Sequence, residues 1–379
     1  MAKGGKHALL VFPGSRPIKL IPRARAELRI CPHSGPFGTI LSCREPITSS
    51  PLAWVVALGG LSLGACSRTA APQGAGAPTP LAVQADWYAE PEEGGNYQAL
   101  AKGYYRDAGL DVNVLNGGPG AFPFQKVVSG GADFALGRSD DVILAVSRGL
   151  PIEIVCVYME KDPMSVIVHD GSPVRDFPDL AGRVVMADPT SAWINYLKAQ
   201  YHIDFGIIPL NYGLGQFLAD PGFIIQGFAT NEPYYIRQKG VASRTLLIAN
   251  SGYNPYRVIY GNSAYIRAHP DAVRAFVAAT LRGWGEFLHG DASAGEKLIF
   301  ARNQSMTPEF MAFSMNAMRE NGFVDGDPAK GERLGLMTRR RMQEQVDLMV
   351  RLKVIQAPIA LDRFATFEFL PPDLAALSR

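Results

Sequence analysis

The chain has 379 residues, with 37 Lys+Arg against 35 Asp+Glu, 47% apolar and 19% charged side chains. This composition excludes a disordered chain and a multispanning membrane protein, and the length allows two modest lobes. Eight of the bases but only two of the acids fall in residues 1–50. The remainder is therefore mildly acidic and lacks the basic patch that nucleic-acid binding needs. Four cysteines, Cys31, Cys43, Cys66 and Cys156, stand at irregular spacing with no zinc or CxxC pattern, and the scattered histidines have no metal spacing either.

The basic segment 1–50 has no obvious fold and is longer than a secretory n-region needs, which points to a translation start further downstream. Residues 51–66 follow: Pro51 to Gly64 is an uncharged run, too short for a comfortable membrane span and shaped like a signal-peptide core. It ends Leu63-Gly64-Ala65-Cys66, which resembles the lipobox of bacterial lipoproteins. That resemblance implies a lipidated Cys66 and a chain held on the periplasmic or outer surface by a lipid anchor. An ordinary cleaved signal, or a core helix that ends in Cys, would leave the same pattern. Residues 67–80, rich in Ala, Pro and Gly, read as a flexible tether.

From Leu81 short apolar runs alternate with helical patterns, the mark of βα units and a mostly parallel sheet, so the fold class is α/β. The pattern predicts a strand over 81–86, a helix over 95–108 closed by Gly109, and a strand over 110–115. A short helix at 124–129, a strand at 133–136, a helix at 140–148 and a strand at 152–158 complete one lobe. A strand at 164–169, a segment at 176–181, a strand at 183–186, a helix at 192–199 and strands near 207–211 and 222–227 begin another. A helix at 233–239 and a strand at 244–249 follow, and a strand at 258–261 returns to the first sheet. One lobe is thus inserted in the other: 81–170 plus 250–379 form lobe 1, and 171–249 form lobe 2. The tail is helical, with helices at 271–288, 308–321 and 333–352, and a last strand at 364–369. Arg339-Arg340-Arg341 reads as a solvated face or, less simply, a docking contact.

Ligands in open α/β sheets bind at strand carboxyl ends, so the cleft between lobes is the expected site. Trp87 and Tyr88 close the first strand, where they can stack on a flat ligand or plug the core. Gly117-Gly118 allow close backbone approach or only a turn. Ser139 or Asp140 would cap the next helix beside the cleft, and Thr190 or Ser191 would repeat that design in lobe 2. Trp193, one turn further on, offers a second aromatic wall. Glu232, before Pro233, can bind amino or ring N–H groups or only favour its own helix dipole. Tyr253 lies where the chain crosses back and can line the cleft or fill the hinge.

At Asp86-Trp87-Tyr88, Gly94-Gly95-Asn96-Tyr97-Gln98-Ala99, Gly109-Leu110-Asp111-Val112, Gly117-Gly118-Pro119, Asp140-Asp141-Val142 and Thr230-Asn231-Glu232-Pro233 the chain resembles the periplasmic substrate-binding proteins of ABC transporters. The resemblance is to the branch named for thiamine-pyrimidine biosynthesis, related to nitrate, taurine and alkanesulfonate binders. It covers nearly all of the chain after the signal. It implies a two-lobed, type II-like periplasmic-binding-protein fold that closes on a small molecule and delivers it to a permease and its ATPase subunit. It further implies a monomer without cofactor, with Trp87, Tyr97 and Glu232 at the family's binding positions. Asn96 departs from the aromatic residue that many relatives carry before the tyrosine.

Other functions compete. An enzyme of the same fold makes the thiamine pyrimidine, but with a cysteine-rich motif that this chain lacks; Cys156 sits in an apolar strand as a small hydrophobe. A ligand-sensing domain would keep the cleft without a permease. A sulfonate-type anion would want Arg138 or Arg183 and helix N-termini, and Glu232 would oppose it.

Overall fold

A computed structural model describes residues 77–378, all within one compact unit, Ala70–Arg379. The basic extension, the apolar run with Cys66 and most of the tether lie outside the described residues. Thr79 and Pro80, expected in the tether, open the first strand instead.

The strands are β1 (Thr79–Gln84), β2 (Leu110–Leu115), β3 (Phe134–Arg138), β4 (Ile152–Met159), β5 (Met164–His169), β6 (Val184–Ala187), β7 (Gly206–Pro209), β8 (Ile224–Phe228), β9 (Ser243–Leu247) and β10 (Arg257–Asn262). They form two five-stranded sheets, in the orders β2-β1-β3-β10-β4 and β7-β6-β8-β5-β9. In the first, β1, β2 and β3 are parallel while β10 runs antiparallel to β3 and β4. In the second, β6, β7 and β8 are parallel while β5 runs antiparallel to β8 and β9. Each sheet thus carries one reversed strand in fourth place. Burial explains the sequences: β4 (IEIVCVYM), at one edge but bridged by the C-terminal segment at Ala365, is covered almost throughout, whereas β2 (LDVNVL), at the other edge, alternates buried and exposed.

Several expected elements shift. Met164–His169 pairs within the second sheet, so the first crossover lies between β4 and β5, ahead of the boundary placed after residue 170. The helix expected over 95–108 breaks into Gly94–Ala101 and Tyr104–Asp107, because Gly103 takes a left-handed φ of 76°. The helix expected from 333 starts at Arg339, where the Thr338 hydroxyl accepts from Arg341 N. No strand forms at 364–369. The chain there makes one parallel bridge, Ile154 to Ala365, after a helical turn at Leu361–Arg363 and before Pro371 turns it away. The helical tail also holds Ser293–Arg302, which lacks a clear apolar face that would set its bounds in the sequence.

The two crossovers share a clasp. Arg341, on the helix Arg339–Arg351, pairs with Glu160 after β4 at 3.1 Å and donates to the Asn254 carbonyl before β10 at 3.0 Å. The third arginine of the basic run is therefore structural. Arg340 pairs on the surface with Glu344, and Arg339 lies over the Phe367 ring at 4.2 Å.

Candidate functional site

The strand carboxyl ends of both lobes line one cleft of about 1150 Å³. Trp87 and Tyr88 line it from the loop after β1. Gly117, in the loop after β2, lets that loop run close against their backbone, because a Cβ there would stand 2.1 Å from the Trp87 carbonyl oxygen. Trp87 is half-buried; its ring meets Tyr88 edge-on at 5.3 Å and, from lobe 2, Tyr212 at 5.3 Å and 34°. Phe124 stacks on Tyr260 at 4.9 Å along the lobe 1 wall.

Beneath the rings the wall is acidic. Asp86, Glu90, Glu92, Glu93, Asp141, Asp188 and Glu232 line the cleft, against two bases, Arg138 and Arg257. Both bases are already paired: Arg257 with Asp86 at 2.6 Å, and Arg138 with Asp140 and Asp141 at 3.2 and 3.3 Å. Asp86 Oδ1 and Glu92 Oε2 are buried acceptors with no donor among the described residues.

The glutamates come from the turn Pro91–Glu93 and its cap residue Glu90, a segment that also joins the lobes. Thr230 donates its hydroxyl to Glu92, and Asn231 Nδ2 donates to Glu90 Oε2 at 2.6 Å. Burial, then the charges of Glu92 and Glu232, raises the Glu90 carboxyl well above its ordinary range. Burial, then Asp86, does the same at Glu93, and burial raises Glu92. Burial also pushes Asp141 up to about 6 despite Arg138.

Glu232 is the first residue of the helix Glu232–Gln238, with Asn231 at the cap. Its Oε2 accepts from Phe228 N at 2.6 Å, and the carboxyl lies over Gly227, where a Cβ would stand 2.7 Å from that oxygen. Burial pushes its pKa up to about 7. The side chain holds its own turn and lines the cleft at once.

Of the residues picked from sequence, Trp87, Tyr88, Gly118, Thr190, Ser191 and Glu232 line this cleft. Thr190 does not cap its helix; it is tied to Asp188 through its N–H and hydroxyl at 2.9 and 2.8 Å. Ser191 is at the cap but makes no side-chain cap bond.

The others do not face the cleft. Asn96 and Tyr97 are fully buried in lobe 1, where Tyr97 lies under Arg302. An α-helix puts adjacent residues on different faces, and this one turns both toward packed neighbours. Trp193 is buried in lobe 2 beside Phe205, so the second wall comes from Tyr212 instead. Ser139 begins its helix rather than capping it; its hydroxyl donates to Gln345 at 2.6 Å and accepts from Tyr256 N. Tyr253 donates to Asp140 at 2.5 Å, and the two border a separate hinge cavity of about 170 Å³. Tyr253 is therefore a hinge residue.

Sequence reasoning missed the Glu90, Glu92 and Glu93 cluster, although three glutamates in four residues beside a strand end are a visible signal. It missed Tyr212 and Phe122 because a lone aromatic in a loop carries no pattern.

The comparisons with known proteins fit this architecture. The chain is 25% identical over 304 residues to the riboflavin-binding protein RibY of Chloroflexus aurantiacus, covering 73% of this chain and 81% of that one. It is 23% identical over 237 residues to the formylaminopyrimidine-binding protein of Halalkalibacterium halodurans, covering 60% and 72%. Among solved structures, the periplasmic aliphatic sulphonate binding protein SsuA of Escherichia coli superposes with a TM-score of 0.58 at 13% identity, covering 76% of this chain and 91% of that one. That likeness establishes the two-lobed periplasmic-binding-protein fold. Residues 90–292 match the family model described as NMT1/THI5 like, and the chain belongs to that family.

Proposed function

We propose that this chain is the substrate-binding component of an ABC-type importer. It captures a small, flat nitrogen heterocycle in the interlobe cleft and hands it unaltered to a permease. The carrying observation is the wall itself: rings from both lobes over a floor of seven carboxyl side chains, with both bases already paired. A heterocycle with ring N–H, amino or hydroxyl donors matches acceptors such as Asp86 Oδ1 and Glu92 Oε2. Pyrimidine precursors of thiamine and flavins belong to that class, and two relatives are named for such ligands. A sulfonate or nitrate would meet carboxylates and no free cation on the described lining.

Fold alone does not separate binders from enzymes. The described lining holds no cysteine or histidine, and Cys156 is buried in β4 with its thiol pushed up by burial. Binding without turnover is the reading these residues support. On it the protein works on the periplasmic side, tethered through Cys66; loss of palmitate labelling in Cys66→Ser tests the tether. Among the described residues no helix is long and apolar enough to cross a membrane.

A thermal-shift panel of pyrimidines, flavins and sulfonates tests the ligand class. Heterocycles should raise the Tm increasingly with concentration. Trp87→Ala should weaken that binding by about tenfold, equivalent to ~1.4 kcal/mol. Stabilisation by sulfonates alone would contradict the reading.

A further inference from the structure

Phe122, in the loop after β2, and Tyr212, in the loop after β7, share three properties. Both line the cleft, one from each lobe. Their side chains are 66% and 62% exposed, the highest values among the large hydrophobics described as exposed. Both also have left-handed backbones, with φ of 48° and 59°. That conformation is sterically unfavourable for a residue with a bulky side chain, and glycine or asparagine adopts it more readily. An exposed ring recovers little of this through burial. Folding alone therefore disfavours an aromatic at either place, and a ring held there points to something outside the chain that it touches.

The surroundings present these rings rather than hide them. Gly118 and Gly120, with φ of 115° and 86°, precede Phe122 and give its loop a backbone path that glycine adopts readily. Tyr212 already meets the Trp87 ring across the cleft at 5.3 Å. The cleft volume of about 1150 Å³ exceeds what a single six-membered ring would fill.

We propose that Phe122 and Tyr212 form an aromatic rim at the cleft mouth, a second ring subsite that selects extended, fused-ring ligands over one-ring ligands. This rests on the heterocycle reading of the cleft. The polar edge of the ligand lies on the carboxyl floor beside Trp87, and the far end of its ring system is held between the two rim side chains.

The test uses Phe122→Gly and Tyr212→Gly, because glycine accepts the left-handed backbone while removing the ring. Affinities are measured by titration calorimetry with riboflavin as the three-ring probe and a formylaminopyrimidine as the one-ring probe. Phe122→Gly should weaken riboflavin binding by about tenfold and the one-ring probe by less than about threefold, whereas Tyr212→Gly, which also removes the wall facing Trp87, should weaken both probes and riboflavin more. The Tm without probe should stay level or rise. Equal loss for both probes in Phe122→Gly, no loss of riboflavin binding in either variant, or a lowered Tm without probe would overturn the rim. An unsubstituted chain that takes only the one-ring probe overturns the rim and leaves the cleft reading standing. An unsubstituted chain that takes neither probe overturns both.

Discussion

At Glu232 a carboxyl group is held between two duties, and their balance depends on pH. Its pKa, about 7 in the folded chain against an ordinary 4.5, means the folded form retains a proton that the unfolded form has lost. The resulting stabilisation is fully present below the ordinary value and disappears as pH rises through about 7. Glu90, Glu92 and Glu93 shift in the same direction, so they add to the slope. Stability should therefore fall between about pH 5 and about pH 8, and Glu232→Gln should flatten that fall and leave the variant more stable than its parent at about pH 8. Denaturant titrations across that range check it; superimposable profiles would contradict the assignment. A ligand offering N–H donors prefers the ionised carboxylate, so its affinity should strengthen over the same interval and lose that dependence in Glu232→Gln.

At the scale of elements, the helix Gly94–Ala101 packs closely on Pro270–His289 because glycine occupies the contact. A Cβ on Gly95 would stand 2.1 Å from Trp284 Cγ, and one on Gly94 would stand 2.0 Å from the Phe287 ring. Gly95→Ala should destabilise the chain by about 1–3 kcal/mol through overpacking. Chemical denaturation measures it, and a change inside ±0.5 kcal/mol or so would contradict the packing account. The paired glycines were visible in sequence, and the structure shows that their work is helix packing. Periodicity made nearly every strand legible, because β4 and β10 are apolar runs bounded by turns. It failed where a bridge of one residue pair, Ile154 to Ala365, replaces a strand. For the site, strand-end positions located Trp87 and Glu232. The same reasoning overreached at Trp193, since a sequence does not say which face of a helix meets a neighbouring element; at Tyr97 it was the family resemblance that overreached, while the helical spacing that puts this ring in a buried stripe agrees with the structure.

Across the whole molecule, polar bonds and packing hold the lobes together away from the Trp87–Tyr212 contact as well. Arg341 ties both crossovers on the hinge side. Elsewhere the Glu90–Asn231 and Glu92–Thr230 bonds meet, and Tyr234 from lobe 2 packs against Phe310 at 5.2 Å. Removing the donors in a Thr230→Val, Asn231→Ala double variant strands two buried acceptors and should shift the population toward separated lobes. Small-angle scattering would read a larger radius of gyration, reversed by ligand; an unchanged radius would show that these bonds do not hold the lobes together.

Capture without chemistry is the property on which the proposed role of the cleft depends. Incubating the chain with riboflavin or a formylaminopyrimidine, isolating the complex and weighing the recovered small molecule by mass spectrometry tests this most directly. The prediction is one molecule per chain, recovered with its mass unchanged. A recovered molecule of altered mass, or the absence of any complex, would contradict it.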